Sequence, residues 1–301
     1  MGPTASGKSA LALELAQRLG GDVINADALQ VYGDLRVLSN RPGPEELASA
    51  PHKLFGHVDG AVRYHVGQWL QEARAAIAAS WNAGRLVLVV GGTGLYFKAL
   101  TQGLSPVPAI DPVVRARLTE QAAEGGPEAL HQRLQHLDPI SAARLAPTDS
   151  SRIVRALEVV LSTGRALPDF QGHADGALAP DAWRGLCLCS DREILRARIA
   201  ARFEIMLAQG ALEEAARLAK RGLDKALPIA KAHGAPWLMA HLAGEISLAQ
   251  AAALAVRDTQ RYAKRQRTWM AHQMADWPRI VSEDLNERAD GALAIWLRPQ
   301  S

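Results

Sequence analysis

The segment GPTASGKS, Gly2–Ser9, has the residue types and the spacing that hold phosphate groups. In the pattern G-x-x-x-x-G-K-[ST], successive backbone N–H groups form an anion cradle at the start of a helix. The ammonium of Lys8 would neutralise phosphate oxygens, and the Ser9 hydroxyl would be a ligand of Mg²⁺. The pattern does not specify which molecule carries the phosphates; it assigns to them Gly2, Pro3, Thr4, Ala5, Ser6, Gly7, Lys8 and Ser9.

Two further segments place polar side chains beside such a loop. DVINAD predicts a short buried strand that ends at Asp27, and RLVLVVGGTG predicts a second strand followed by Thr93. Ligands of open parallel sheets collect at the carboxyl ends of the strands. From position alone, Asp27 is either a general base or a Mg²⁺ ligand as in a nucleotide kinase. GGTG is either a ligand loop or a plain strand-to-helix turn.

Basic residues recur along two predicted helices. In the helix from Ser150, Arg152 and Arg155 share one face, and the apolar residues fall on another. A one-sign stripe with few acids is explained better by nucleic-acid phosphates than by a solvated face. The stripe on the last long helix consists of Arg257, Arg261, Lys264, Arg265, Thr268 and His272.

The elements that must position these residues alternate between helix and strand. The leucine spacing after Ser9 predicts a helix that stops at Gly20, and a second helix is predicted from about Val66 to Asn82. Loop, helix, strand, helix, strand is an α/β pattern with a parallel sheet. A phosphate loop normally follows a strand, whereas here Met1 alone precedes it. We expect either a start codon placed late or a missing central strand that lowers stability.

Changes in residue composition and predicted secondary structure divide the sequence into three stretches. Residues 1–105 form the first part of the core, and the prolines of GLSPVPAIDP introduce a helical insertion over 106–180. Residues 181–301 return to the core through RGLCLC and end in helices, including a long one from about Leu248 to Met274. We predict the caps Asp111, Asp149 and Gly164 for helices of the insertion.

Composition narrows the class of protein. The 301 residues are 48% hydrophobic and 22% charged, with a net charge of +3, which permits nucleic-acid binding without requiring it. No apolar run is long enough for a membrane span, and the residues after Met1 do not form a signal peptide, so we expect a cytoplasmic protein. Cys187 and Cys189 are expected to be buried, reduced thiols on a strand, because a metal site would need more ligands.

Six sequence blocks, in order, resemble the tRNA dimethylallyltransferase family, also termed tRNA isopentenyltransferases or IPP transferases, of bacterial type. The blocks are GPTASGKS, NADALQVY, VGGTGLYFKAL, DP followed by VRARL, SRIVRALEV and RYAKRQRTW. The resemblance implies an α/β fold with a P-loop NTPase-like parallel sheet core and an inserted helical tRNA-binding domain. It also implies Mg²⁺ as cofactor and a monomer that encloses the anticodon stem-loop. The implied activity moves a dimethylallyl group from dimethylallyl diphosphate to N6 of the adenine immediately 3′ of the anticodon (position 37).

The same resemblance assigns roles to single residues. Asp27 and Thr93 match the catalytic residues, Asp27 as general base and Thr93 near the bridging oxygen of the donor. Arg202 matches an arginine that contacts the phosphates. An exocyclic amine is a poor nucleophile, so a carboxylate that takes its proton makes chemical sense. The family usually has serine after the aspartate, and Ala28 removes that hydroxyl.

The tRNA contacts are predicted by the matched blocks and by the basic stripes. An adenine of a single-stranded loop can be flipped into a pocket, where Gln30 would read a base edge. The predicted tRNA-binding residues are Asp27, Ala28, Leu29, Gln30, Arg115, Ser151, Arg152, Ile153, Val154, Arg155, Arg261, Lys264 and Arg265.

Three other readings use the same residues. A small-molecule kinase would bind ATP in the loop and use the insertion as a lid. A catalytically impaired tRNA-binding protein would keep the basic helices without turnover. An adenylate isopentenyltransferase, which takes a free nucleotide as acceptor, would have little use for the basic helix stripe or for the large insertion.

Overall fold

A computed structural model describes residues 1–107, 110–170 and 174–298 of the chain. The chain forms two compact units, one of Met1–Thr101 with Leu178–Ser301 and one of Gln102–Ala177. The divisions fall at 101/102 and 177/178, where the sequence predicted 105/106 and 180/181. The strands are β1 Asp22–Asn25, β2 His52–Lys53, β3 Val87–Val90, β4 Cys187–Leu188 and β5 Arg279–Ile280.

Helices account for most of the residues that the structure describes in both units. Three 3₁₀ turns, Leu167–Phe170, Pro180–Ala182 and Pro228–Lys231, supplement them. The helices are α1 Lys8–Leu19, α2 Pro44–Ser49, α3 Val66–Asn82, α4 Gly94–Gln102, α5 Pro112–Leu137, α6 Pro139–Arg144, α7 Ser150–Thr163, α8 Arg192–Ala208, α9 Ala211–Lys220, α10 Ala235–Leu242, α11 Leu248–Gln273 and α12 Leu285–Trp296.

The larger unit contains two short parallel sheets. β1 pairs with β2 on one side and with β3 on the other, with Asp22 opposite Val87 and Asn25 opposite Val90. All four residues of β1 are buried, as expected for a central parallel strand. β4 pairs with β5, with Cys187 opposite Arg279. The α/β prediction with a parallel sheet is therefore confirmed.

Met1 lies where the last residue of a strand before the phosphate loop would lie. Its carbonyl accepts a hydrogen bond from the Leu188 amide (2.8 Å), and its amino group donates to the Leu186 carbonyl (2.8 Å). The amide of Gly2 then donates to the Gly91 carbonyl (3.3 Å). These bonds hold the start of the loop beside β4 and beside the carboxyl end of β3.

Helix α1 packs against both sheets. Its residues Leu11 and Leu15 lie in one buried cluster with Leu188 and Ile280, and Ala12 lies in another with Val23. The leucine spacing of the sequence produces this apolar face. The helix ends at Gly20, whose left-handed φ of 65° suits glycine. The loop before α1 is thus anchored to the packed core.

Helix α3 fixes the carboxyl end of β1. It spans Val66–Asn82, as predicted, and its buried Trp69 donates from Nε1 to the Asn25 carbonyl (2.8 Å). The Trp69 ring also stacks on Tyr96 of α4, with centroids 4.3 Å apart. A buried tryptophan needs a partner for its N–H, and here that partner is the last residue of the strand that leads to Asp27.

The smaller unit has its own apolar core between α5 and α7. The carboxylates of Asp111 and Asp149 accept from amides of the first turns of these helices, and Gly164 ends α7, as predicted. Helix α5 is interrupted at Gly126, where φ is 70°. The fully packed residues of this core are Leu118, Leu130, Leu134, Ala142, Ile153, Ala156 and Leu157.

Two smaller expectations can also be compared with the structure. Cys187 and Cys189 are both unpaired, but only Cys187 is buried, since Cys189 lies at the end of the strand and is partly exposed. The prediction of two buried thiols was therefore wrong for Cys189. Within the described residues, no helix combines the length and the apolar character that crossing a membrane requires.

Candidate active site

The phosphate loop is a tight turn closed by its own backbone. The Ser6 amide donates to the Pro3 carbonyl (3.3 Å), and the Leu11 amide donates to the Gly7 carbonyl (3.1 Å). Ala5 and Gly7 both have left-handed backbones, with φ of 64° and 84°. The left-handed form costs an alanine on the order of 1–2 kcal/mol, and such turns direct successive N–H groups toward one anion.

Two desolvated cations converge on the loop. The Lys8 ammonium donates to the Pro3 carbonyl (3.2 Å), and Arg202 of α8 donates from Nη2 to the Thr4 hydroxyl (2.6 Å). Burial lowers the pKa of Lys8 to about 8, although the charge of Asp27 opposes that shift. Burial likewise lowers the pKa of Arg202. Such a pair gains most from a bound anion of high charge.

Asp27 is held rigidly two residues beyond β1. Its amide donates to Oδ1 of the buried Asn25 (2.8 Å), whose own side-chain amide donates to the Asp27 carbonyl (3.0 Å). The carboxylate accepts from the Leu29 amide at Oδ1 (3.0 Å). Backbone and side chain of Asp27 are therefore both positioned before any ligand arrives.

Thr93 meets the Asp27 segment across the sheet. Its amide donates to the Ala26 carbonyl (3.2 Å), and its hydroxyl accepts from the Ala28 amide (3.0 Å). Gly91 packs so closely on Ala26 that any side chain there would overlap the Ala26 backbone. The structure thus brings together Asp27 and Thr93, the two residues that the sequence assigned to catalysis.

A cavity of about 440 Å³ is lined by Asp27, by residues of the phosphate loop and by an apolar wall. Its polar lining includes Thr4, Lys8 and Ser9 of the phosphate loop, together with Asp27 and Arg202. A site with converging charged groups and an adjoining apolar surface suits a ligand with a polar and an apolar part. The apolar side chains of the lining include Leu29, Leu38, Ile199, Phe203, Ile205 and Met206.

Gln30 lines the same cavity, but its donors are used within the protein. Its Nε2 donates to the carbonyls of Ser39 (3.0 Å) and Asn40 (2.7 Å). A base edge would therefore have to be read through Oε1, or after these two bonds break. Leu29 is also in the cavity wall, and Ala28 contributes the amide that binds Thr93.

Sequence reasoning missed three residues at this site. His233 and Tyr262 line the cavity with their ring centroids 4.4 Å apart. Burial lowers the pKa of His233 and raises that of Tyr262, and Asp27 acts on both groups. Gln266, one turn beyond Tyr262, is buried beside the phosphate loop. The spacing of four within RYAKRQRTW was the available signal, because it places Tyr262 and Gln266 on one face of the helix.

Arg288 is a further residue that the sequence did not indicate. It is 3% exposed and donates from Nη1 to the Ser6 carbonyl (2.9 Å). Glu283 accepts from Nη2 of the same guanidinium (2.6 Å) and from Arg198 (2.6 Å). The phosphate loop is therefore supported from helix α12, which lies far away in sequence.

The predicted tRNA-binding residues of α11 lie on its exposed face. Arg261 is 3.6 Å from Asp258, and the Arg265 guanidinium lies 5.6 Å from the Tyr262 ring centroid. Lys264 is exposed between them. The stripe therefore combines free and loosely paired cations, as a phosphate-binding surface requires.

The predicted residues of the smaller unit comprise the exposed Ser151 and Arg152, the half-buried Arg115 and Arg155, and residues of the core. Arg115 and Arg155 both pair with Glu158 (2.7 and 3.3 Å), and Arg152 pairs with Asp149 (3.3 Å). Ser151 is exposed and Val154 is half-buried against the core. Ile153 is fully buried in that core, so its side chain is not available to a ligand, which corrects this part of the prediction. The reason is the helical period, which turns it inward between Arg152 and Arg155.

The donor groups fit a Mg²⁺ ion that is carried in part by its ligand. The described residues contain no group of three or more His, Cys, Asp or Glu side chains that would hold a metal alone. Mg²⁺ prefers few protein oxygens, completed by phosphate oxygens and water. Ser9 and Asp27 line one cavity and offer such oxygens beside the phosphate loop.

Comparison with known proteins identifies the family of the chain. Residues 30–273 match the family model described as IPP transferase, and residues 1–55 match a model described as isopentenyl transferase. A tRNA dimethylallyltransferase of Methylobacterium nodulans is 54% identical over 285 residues, which cover 94% of each chain. One from Rhodopseudomonas palustris strain BisB18 is 53% identical and covers 96% of this chain and 92% of its own length.

Solved structures extend the comparison to the fold. A tRNA isopentenylpyrophosphate transferase from Bacillus halodurans aligns with a TM-score of 0.68 at 29% identity, covering 97% of this chain and 94% of its own. A eukaryotic dimethylallyltransferase acting on tRNA aligns with a TM-score of 0.81 at 26% identity, covering 98% of this chain and 77% of its own. The family resemblance of the six sequence blocks is confirmed. The chain belongs to the IPP transferase family.

Proposed function

We propose that this chain transfers a dimethylallyl group from dimethylallyl diphosphate to N6 of the adenine immediately 3′ of the anticodon of tRNA. The observation that carries the proposal is a single cavity lined by a phosphate loop and by Asp27. The relatives named tRNA dimethylallyltransferase, more than half identical over nearly the whole chain, support the same activity.

The reaction exchanges one bond for another at the allylic carbon. The N6 lone pair of adenine forms a bond to this carbon, while the carbon–oxygen bond to diphosphate breaks. The proton of the amine passes to the Asp27 carboxylate, which is fixed in place by the Leu29 amide. General base catalysis of this kind contributes about 10²–10⁴-fold.

Charge that develops on the leaving diphosphate is stabilised by donors that are already oriented. In our proposal these are the loop amides, Lys8 and Arg202, with Thr93 near the bridging oxygen. Mg²⁺, held in part by Ser9, would supply further positive charge to the phosphate oxygens when bound. The donors cost little reorganisation, because Arg202 is already bonded to the Thr4 hydroxyl.

The apolar wall favours an alkyl donor over a nucleoside triphosphate. Leu38, Phe203 and Met206 line the same cavity as the loop and would shelter a five-carbon branched group. A small-molecule kinase would instead need a polar acceptor site at this position. The alternatives of an ATP-dependent kinase and of a tRNA-binding protein without turnover are therefore less well supported.

We expect the partner to be the anticodon stem-loop of tRNA, bound by a monomer in the cytoplasm. The exposed cations Arg152, Lys264 and Arg265 support contacts with its phosphates. An adenine from a single-stranded loop can leave its stack at modest cost and enter a pocket. Beside Asp27, Ala28 offers no hydroxyl, so its contact to the tRNA would come from the backbone.

The test is transfer of labelled dimethylallyl from its diphosphate to unmodified tRNA with Mg²⁺. Wild type, Asp27→Asn and the exposed control Asp276→Asn would be compared. We expect label on the adenine 3′ of the anticodon, a loss of about 10²–10⁴-fold in Asp27→Asn and no loss in the control. A folded wild type that labels no tRNA would overturn the proposal, and ATP consumption without labelling would favour the kinase.

A further inference from the structure

Gln266 of α11 adds a side-chain bridge between the phosphate loop and the loop after β3, which are also joined by the backbone bond from the Gly2 amide to the Gly91 carbonyl. Its Oε1 accepts from the Thr4 amide (2.8 Å), and its Nε2 donates to the Gly92 carbonyl (2.9 Å). The side chain is 4% exposed and both contacts are buried or partly buried. One side-chain amide thus accepts from the phosphate loop and donates to the loop after β3, as a peptide group does between strands.

The approach of the two loops to this amide is close. A side chain at Gly92 would overlap Nε2 of Gln266 and come within 3.3 Å of the Gly2 carbonyl. The Tyr262 hydroxyl lies next to the side chains of Gln266 and Thr93, which oppose the rise that burial causes in the pKa of Tyr262. Gln266 is therefore tightly enclosed, and its two bonds hold Thr4 and Gly92 at a fixed separation, beyond the Gly2–Gly91 bond at the start of the phosphate loop.

Each of these bonds leads to one half of the site. Thr4 binds Arg202 through its hydroxyl (2.6 Å), so the Thr4 side is the phosphate half. Gly92 precedes Thr93, whose hydroxyl accepts from the Ala28 amide next to Asp27 (3.0 Å). The Gln266 side chain bridges the two halves directly, because it contacts a backbone atom of each.

We propose that Gln266 is a positioning residue that sets the distance between the diphosphate site and the Asp27–Thr93 pair. This role rests on the proposed function, since it concerns the alignment of donor and acceptor. Gln266 touches neither substrate, being buried behind the loops. Displacement of reacting groups by about 1 Å can cost about 10²-fold in rate, so loss of this bridge should slow transfer rather than weaken tRNA binding.

Two substitutions separate the bridge from simple packing. Gln266→Met keeps the length of the side chain and removes both hydrogen bonds. Gln266→Glu keeps the shape and the acceptor, and it regains the donor only when the carboxyl is protonated. A buried carboxyl that faces a carbonyl has a raised pKa, so this gain should occur at moderately low pH. The control is Gln273→Glu, an exposed position on the same helix that accepts from Lys98 (3.0 Å).

The readout is the single-turnover rate of dimethylallyl transfer to saturating tRNA, divided by the wild-type rate at each pH. The division cancels the pH dependence that the variant shares with the wild type, including that of Lys8. We expect Gln266→Met to lose about 10–100-fold at every pH, with an unchanged Kd for tRNA. For Gln266→Glu, the ratio of variant to wild-type rate should rise at least about tenfold when the pH is lowered from about 8 to about 6, because the carboxyl takes up its proton. For Gln273→Glu, the same ratio should stay at one.

The proposal is overturned if Gln266→Met transfers at the wild-type rate, or if the ratio for Gln266→Glu does not change with pH. Failure of the proposed function is recognised separately, because the wild type itself would then not label tRNA. In that case the bridge is tested with inorganic diphosphate. Its affinity should fall at least about fivefold in Gln266→Met, since the Thr4 amide loses its anchor. An unchanged affinity would refute the role.

Discussion

At the scale of single residues, burial gives Lys8 an unusual titration. Desolvation by burial lowers its pKa to about 8. The protonated ammonium is the form that binds phosphate. Its population is therefore complete below this pKa and falls as the pH rises through it. Bound diphosphate raises the pKa again, so the loss should affect kcat/KM for the donor and leave kcat nearly constant. We expect kcat/KM to fall by up to about tenfold per pH unit above about 8.

Initial rates at varied donor concentration and pH check this expectation. Lys8→Arg, which stays charged throughout the range, is the control and should lack the alkaline decrease even if its absolute rate is low. A wild-type kcat/KM that stays level well above pH 8 would contradict the assignment of Lys8 to the phosphates.

Arg202 should act on the donor alone. It donates to the Thr4 hydroxyl and is half-buried in the cavity that Lys8 also lines. Hydrogen bonds to charged groups contribute about 1.5–3 kcal/mol, so Arg202→Gln should raise KM for dimethylallyl diphosphate about 10–100-fold. KM for tRNA should not change. Arg196→Gln, on the exposed face of the same helix, is the matched control, and equal effects on both substrates would argue against a phosphate contact.

At the scale of elements, helix α9 fixes a loop that lines the cavity. The buried carboxylate of Glu214 accepts from the amides of Arg36 (2.7 Å), Val37 (3.1 Å) and Leu38 (2.8 Å). Leu38 and the next two residues belong to the cavity wall. This one carboxylate therefore connects the packing of α9 to the shape of the site.

Removing that carboxylate should destabilise the fold measurably. Glu214→Ala leaves three inward-facing amides without partners, and each unsatisfied group costs about 1–3 kcal/mol. We expect the free energy of unfolding to decrease by about 3 kcal/mol or more, measured by denaturant titration. Glu213→Ala, its exposed neighbour, should change it by less than about 0.5 kcal/mol. Similar values for both variants would show that the loop does not depend on Glu214.

At the scale of the whole molecule, the exposed cations of both units predict salt-dependent tRNA binding. Each phosphate that a bound cation neutralises adds about −0.7 to −0.9 to the slope of log K against log salt. Lys264→Ala and Arg152→Ala should each weaken binding and reduce the slope by about one or less. Asp27→Asn should leave the slope unchanged, because Asp27 is not a cation. Filter binding at several salt concentrations measures this, and equal slopes for all variants would refute phosphate contacts at Lys264 and Arg152.

Local chemistry explains why part of the site was predictable. The phosphate loop has a diagnostic spacing of its own, whereas Asp27 and Thr93 stand next to strand ends in the sequence, and parallel strands bring their carboxyl ends to one edge. Short-range order therefore determined their positions, as it determined the caps at Asp149 and Gly164, while the catalytic roles of Asp27 and Thr93 came from the family resemblance. A basic stripe, in contrast, identifies a face of a helix without identifying what the opposite face contacts.

The sequence by itself determined the α/β pattern and the phosphate loop, because each depends on residues close in the chain, and the six matched blocks determined the family. It also placed Asp27 and Thr93 beside strand ends, and their catalytic roles stay a prediction from the family resemblance. Only the tertiary structure decided that Gln266 and Arg288, distant in the chain, bond the phosphate loop, and that Ile153 is core. A buried polar side chain takes its role from the groups it meets across the fold. Sequence spacing contains no information about those partners until the chain is packed.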